Sequence, residues 1–171
     1  MTDMRQGMIL ASAGLSLRRD DSIKQVELYQ LACAVVEELV PRYGYCTANF
    51  WYGWDYAWCV ALMEAHVPYS IVLPYRAIGT KWHPSDKDKL NTLIASAHDV
   101  IYISDNYRDK VYDYRDDYLA EHAEGVVNLV RPPFTYTRVC TKAICMGKPI
   151  FRLWDRFLAL YHPTSKGSPY H

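Results

Sequence analysis

The chain has 171 residues, half of them hydrophobic and 22% charged, which fits one globular domain with a substantial core. Lysine plus arginine equal aspartate plus glutamate at 19 each, so the formal net charge is zero and a large electrostatic footprint for duplex nucleic acid is not expected. No stretch approaches the roughly 18 uninterrupted apolar residues of a membrane helix. Residues 1–7 lack a signal-peptide core, so a cytoplasmic protein is expected.

The predicted elements alternate between strand and helix. Residues 8–14 read as a buried strand ending in a small-residue turn with Ser12 and Gly14. A polar loop holding Arg18, Arg19, Asp20 and Asp21 leads to a helix over 22–43, with Ile23, Val26, Tyr29, Cys33, Val36 and Val40 on its buried side and Pro41 and Gly44 at its end. A short strand over 45–48 follows. The stretch from Thr47 to Trp58 comes next and organises the rest. Trp54, Ala57, Trp58, Ala61, Leu62 and Ala65 recur at helical spacing, behind a turn dense in aromatic rings. Gly53 suits a backbone conformation that a Cβ would penalise, and Asp55 sits in the first helical turn, where a carboxylate suits the unpaired amides.

Further strands are expected at 69–74, 100–104, 126–130 and 149–154, and further helices from Ser85, after Asp117 to about 124, over 137–146 and over 155–161. The polar, tyrosine-rich stretch 105–117 reads as a loop before its helix, and 163–171 as a tail. The strands are short, apolar and mostly not alternating, as expected when helices cover both faces. The expectation is a single α/β domain: a three-layer, Rossmann-like fold with a mainly parallel sheet of about six strands. Its strand-to-helix turns would gather on one edge, where such sheets hold ligands.

Several runs in register resemble the SLOG superfamily, the Rossmann-like group that includes the DprA and LOG proteins, and in particular its YpsA-like branch. Gly53-Trp54-Asp55 is similar to the family's G-x-D segment. Leu73-Pro74-Tyr75 resembles its apolar-Pro-aromatic strand end, with Trp82 following. Asp99 to Ser104, then Tyr107, resembles "D-x-V-x-Y-x-S…Y"; Arg115-Asp116 with Tyr118-Leu119 resembles R-N-x-x-M; Ala143 with Gly147-Lys148-Pro149-Ile150 resembles "A…G-K-P-I". The resemblance covers about residues 8–154 and implies a nucleotide-related ligand. Two departures stand out. The family's glycine-rich phosphate turn is here Pro132-Pro133-Phe134-Thr135-Tyr136-Thr137, and the P-G-G-x-G-T-x-x-E signature of the nucleotide-cleaving LOG enzymes is missing.

The expected ligand-binding residues at the carboxyl edge are Ser12, Gly14, Asn49, Phe50, Trp51, Gly53, Asp55, Arg76, Trp82, Ser104, Tyr107, Arg115, Thr135 and Thr137. Phe50, Trp51 and Tyr52 suit stacking on a base, core packing or a dimer interface. Asn49 suits a base edge or a turn. Asp55 suits a ribose hydroxyl, general base work or a helix cap. Arg115 suits phosphate or an ion pair, and Arg76 a phosphate or a solvated loop. The six histidines are isolated and the five cysteines scattered without C-x-x-C spacing, so no metal and no disulfide framework is expected, nor any cofactor.

The resulting functional expectation is a sensor or sequestering protein for a nucleotide-derived ligand, ADP-ribose-like or a cyclic nucleotide. The alternatives are an enzyme on a nucleotide N-glycosidic bond, with Asp55 catalytic, and single-stranded DNA binding. A homodimer or higher homo-oligomer is expected from the near-zero charge, and no membrane partner.

Overall fold

A computed structural model describes residues 8–17 and 22–161. The arginine and aspartate pairs at 18–21 and the tail expected from Pro163 lie outside the described residues. Six strands and six helices alternate: β1 Ile9–Gly14, α1 Gln25–Tyr43, β2 Tyr45–Ala48, α2 Trp54–Glu64, β3 Tyr69–Tyr75, α3 Pro84–Ser96, β4 Asp99–Ser104, α4 Val111–Glu121, β5 Gly125–Leu129, α5 Arg138–Cys145, β6 Ile150–Arg152 and α6 Trp154–Tyr161. The strands form one sheet in the order β4-β3-β2-β1-β5-β6, and all five pairings are parallel. This is the α/β, Rossmann-like architecture expected from the alternation of apolar runs and helical stripes.

The chain steps outward from β1 to β4, then returns through α4 to β5 on the far side of β1. Strand side chains divide accordingly. Leu10, Ile71, Leu73, Val127 and Leu129 face a core shared with α1, α2, α3 and α6. Ala11, Ala13, Val72 and Val126 face a smaller core under α4 and α5. Helices change face where the direction of travel reverses, as right-handed crossovers require. The reversal sets β1 between β2 and β5 and opens a crevice at their carboxyl ends, which is where open α/β sheets hold ligands.

α2 buries the expected stripe of Trp54, Ala57, Trp58, Ala61 and Leu62, while Ala65 is exposed at its end. Of the residues expected inside at α1, Ile23 and Val36 are buried, but most of the buried face is carried by other residues. Leu28, Leu31, Ala32, Val35, Val36, Leu39 and Tyr43 are inside, and Val26 is 57% exposed. The leucines offer more apolar area than the expected stripe of Val26, Tyr29 and Cys33, and burial follows area. Pro41 lies inside the last turn, and Gly44, in the left-handed region, ends the helix.

Candidate functional site

β1 and α2 meet through a glycine contact. A Cβ on Gly14 would lie 2.4 Å from Cδ1 of Trp54, so only glycine lets the buried indole cross the end of β1. The Trp54 indole N–H donates to the buried Ser12 hydroxyl at 2.7 Å, and the Trp54 amide donates to the Leu15 carbonyl at 3.0 Å. Gly53 has φ +97, and a Cβ there would meet the Leu15 oxygen at 2.6 Å. The Gly53-Trp54 turn is thus clamped to the β1 loop, which fixes the start of α2 and the position of Asp55.

Beside this clamp lies a cleft of about 400 Å³. Ser12, Gly14 and Ser16 line it from β1 and the loop after it, and Asn49, Trp51 and Asp55 from the β2–α2 turn. Tyr112, Arg115, Asp116 and Leu119 line it from α4, and Thr137 and Val139 from the start of α5. A second cavity of about 410 Å³ shares Gly14, Ser16 and Thr137 with the first and extends along the β5–α5 turn past Arg131, Pro132 and Phe134.

The polar side of the first cavity is a hydrogen-bonded chain. Arg115 Nε donates to Asp116 Oδ1 at 2.9 Å, and its Nη1 donates to Asn49 Oδ1 at 2.8 Å. Asn49 Nδ2 then donates to Asp55 Oδ2 at 3.1 Å. Asn49 is buried, and the guanidinium lies 5.5 Å from the Tyr112 ring centre. Burial pushes the Asp55 carboxyl up to about 7 from an ordinary 3.8; Arg115 and Asn49 oppose the rise and Asp116 adds to it. Burial also raises Asp116, against the pull of Arg115. Asp55 lies in the first turn of α2, as expected, with Gly53 at the cap position.

Seven of the expected residues therefore come together: Ser12, Gly14, Asn49, Trp51, Asp55, Arg115 and Thr137. The others stand elsewhere. Phe50 is 1% exposed and packs against Trp82 at 5.6 Å between ring centres, so it is a core residue that backs Trp51. Gly53 acts through backbone shape. Arg76 pairs with Asp105 at 3.3 Å and lies over the Tyr102 ring, away from the cleft. The Ser104 hydroxyl donates to the Asn106 carbonyl, and Tyr107 stands against Tyr75 at 5.7 Å. The Thr135 carbonyl accepts from Asn128 Nδ2 at 3.1 Å, while the Thr137 hydroxyl caps α5 by accepting from the Cys140 amide at 3.2 Å.

Tyr112, Asp116 and Leu119 were not expected in the site. With Arg115 they stand at i, i+3, i+4 and i+7, one face of α4. That spacing is present in the sequence; it is hidden when α4 is started after Asp117 instead of at Val111.

No family model and no curated protein matches the chain. Solved structures do. DNA processing protein A (DprA) from Streptococcus pneumoniae superposes with a TM-score of 0.59 at 13% identity, over 88% of this chain and 52% of that one. DprA from Helicobacter pylori, described for its single-stranded DNA binding mode, gives 0.60 at 10% identity, over 86% and 66%. The protein TM1055 gives 0.56 at 16% identity, over 83% and 71%.

This chain shares the fold of DprA. The likeness at these identities is one of fold, and the chain spans about half the length of the pneumococcal protein. Within this fold the run Gly147-Lys148-Pro149-Ile150 has a structural task. Lys148 Nζ donates to the carbonyls of Ala120 and Glu121, at 2.6 and 2.9 Å, and so closes the carboxyl end of α4, the helix that carries Arg115 and Asp116. Among the described residues no cluster of three histidine, cysteine or acidic groups stands at metal-binding distance, and no helix is long and apolar enough to cross a membrane.

Proposed function

We propose that the protein binds a small nucleotide-derived ligand, ADP-ribose-like or a cyclic nucleotide, at the carboxyl edge of the sheet, as a sensor or sequestering protein. The observation that carries this reading is the cleft at the strand-order reversal, with Trp51 on one wall and the chain Asp116–Arg115–Asn49–Asp55 along its floor. Each cavity is within the size range of small-molecule sites. The second, continuous cavity gives room for a ligand larger than a mononucleotide. The sequence resemblance to the YpsA-like branch of SLOG proteins supports a nucleotide as the ligand class, as does the fold shared with DprA.

Titration calorimetry with ADP-ribose, cyclic mononucleotides and cyclic dinucleotides tests the reading. Saturable binding by at least one, weakened at least tenfold in Trp51→Ala, is the expected result. Failure of every member to bind at millimolar concentration contradicts it.

A second reading rests on Asp55, whose carboxyl, pushed up to about 7, is suited to proton transfer at neutral pH. In that reading Asp55 gives its proton to the departing base, the N-glycosidic bond breaks as water adds to the anomeric carbon, and the proton lost by that water returns to Asp55. Chromatographic detection of free base that disappears in Asp55→Asn supports it.

Single-stranded DNA binding, named for the Helicobacter pylori DprA, is less favoured by the described surface. Arg76, Arg115 and Arg138 are each paired with carboxylates, which competes with contacts to a phosphate backbone. The proposed assembly is a homodimer or higher homo-oligomer in the cytoplasm.

A further inference from the structure

The two cavities at the carboxyl edge are continuous through Gly14, Ser16 and Thr137, and each is walled by an aromatic ring that reaches solvent. In the first that ring is Trp51, set beside Tyr52 and Trp82 at 5.5 and 6.1 Å between ring centres. In the second it is Phe134, which is 74% exposed. Tyr136, two residues on, is covered by the Arg152 guanidinium at 5.3 Å from its ring centre, and Phe134 has no such cover among the described residues.

A lone exposed phenylalanine is ordinary on a protein surface. The turn that carries this one is not. Residues 131–136 contain two prolines and no glycine. A proline has no N–H to give, and without glycine the backbone cannot come close to a phosphate. Backbone recognition of an anion is therefore poor here. Leu15, Val130 and Pro132 line the same cavity and make its wall apolar. Each proline also fixes its own φ, so the Phe134 ring stands on a stiff turn and loses little freedom when a ligand covers it. Such a wall suits the face of a nucleobase better than a phosphate. The first cavity makes the same offer through Trp51. The residues common to both cavities are small, and the hydroxyls of Ser16 and Thr137 suit a polar linker.

We propose that the ligand is a dinucleotide with two bases, one stacked on Trp51 and the other on Phe134, its phosphodiester linkage lying over Gly14, Ser16 and Thr137. This rests on the nucleotide-binding reading above and narrows it to two-base ligands. ADP-ribose and cyclic mononucleotides have one base and leave the Phe134 ring in water. A cyclic dinucleotide holds its two bases in a fixed relation, which keeps the entropy cost of filling both cavities low. Phe134 is then the residue that sets specificity between one base and two.

The test is calorimetric titration of the wild-type and Phe134→Ala chains with cyclic di-AMP and cyclic di-GMP, against cyclic AMP, cyclic GMP and ADP-ribose. Stacking of a base on a protein ring is worth about five- to a hundredfold in affinity, so the dinucleotide should bind about tenfold or more tighter than the one-base ligand with the same base. In Phe134→Ala that ratio should fall to about threefold or less. Truncating so exposed a ring takes little buried area from the fold. Equal binding of one-base and two-base ligands by the wild-type chain overturns the two-base assignment and leaves nucleotide binding standing. An unchanged ratio in Phe134→Ala does the same. Tighter binding of a single-stranded oligodeoxynucleotide of about ten residues than of either dinucleotide overturns the assignment in favour of DNA. Binding by none of these compounds removes the nucleotide reading and the two-base assignment together.

Discussion

Arg115 on α4 and Asn49 after β2 are joined by a 2.8 Å hydrogen bond across 66 residues of sequence. The bond links the helix that returns across the sheet to the turn that launches α2, and through Asn49 it reaches Asp55. Replacing Arg115 with leucine removes the positive charge that lowers the Asp55 carboxyl. The Asp55 pKa should rise further above 7, and a carboxyl-carbon NMR titration reads the shift directly. The substitution also leaves Asp116 without its cation, and a stability loss of about 2–4 kcal/mol is expected by chemical denaturation.

Stability should depend on pH through the same carboxyl. In the native state Asp55 keeps its proton to about pH 7, while an unfolded aspartate releases it near 3.8. The native state then binds more protons between those values, and stability falls as pH rises through that window and levels off above it. The loss amounts to at most about 4 kcal/mol, less where water in the cleft screens the charge. Burial raises Asp116 in the same direction. Urea denaturation at pH 5 and pH 8 should show the fall for the wild-type chain and a reduced fall for Asp55→Asn.

Gly14→Ala tests the crossing of β1 and α2. The new methyl would lie 2.4 to 2.8 Å from three atoms of Trp54, a buried ring whose N–H is tied to Ser12. Overpacking of this kind costs about 1–3 kcal/mol. The variant should unfold at lower denaturant with altered tryptophan fluorescence, and it should bind ligand more weakly because Ser12, Gly14 and Asp55 move together.

Lys148→Met tests the closure of α4. It keeps the length of the side chain and removes the donors to the Ala120 and Glu121 carbonyls. A loss of about 1–3 kcal/mol is expected. Hydrogen exchange should rise in the last turn of α4 and leave β1 and β2 protected.

Much of this arrangement was legible in the sequence, for identifiable reasons. The apolar runs at residues 8–14, 69–74 and 126–130 had no helical period to compete with strand, and all three fall on strands, to within a residue at each end. The α2 stripe was unambiguous because tryptophan, alanine and leucine recur at its core positions. α4 was obscured because the face that lines the cleft carries Tyr112, Arg115 and Asp116 in place of an apolar stripe, so its first turns read as loop. The run Phe50-Trp51-Tyr52 shows a different limit. Consecutive side chains in a turn point in different directions, and only the folded chain decides that Phe50 goes inside while Trp51 reaches the cleft. The role of Arg115 depended likewise on Asn49, a partner that sequence distance conceals.

The most direct measurement of the central claim is native mass spectrometry of the purified chain, alone and after incubation with ADP-ribose, cyclic nucleotides and the ribonucleoside monophosphates. The account predicts a retained compound of unchanged mass at one per chain, lost in the Trp51→Ala variant. A chain that retains none of these compounds, and releases no base from any of them, contradicts it.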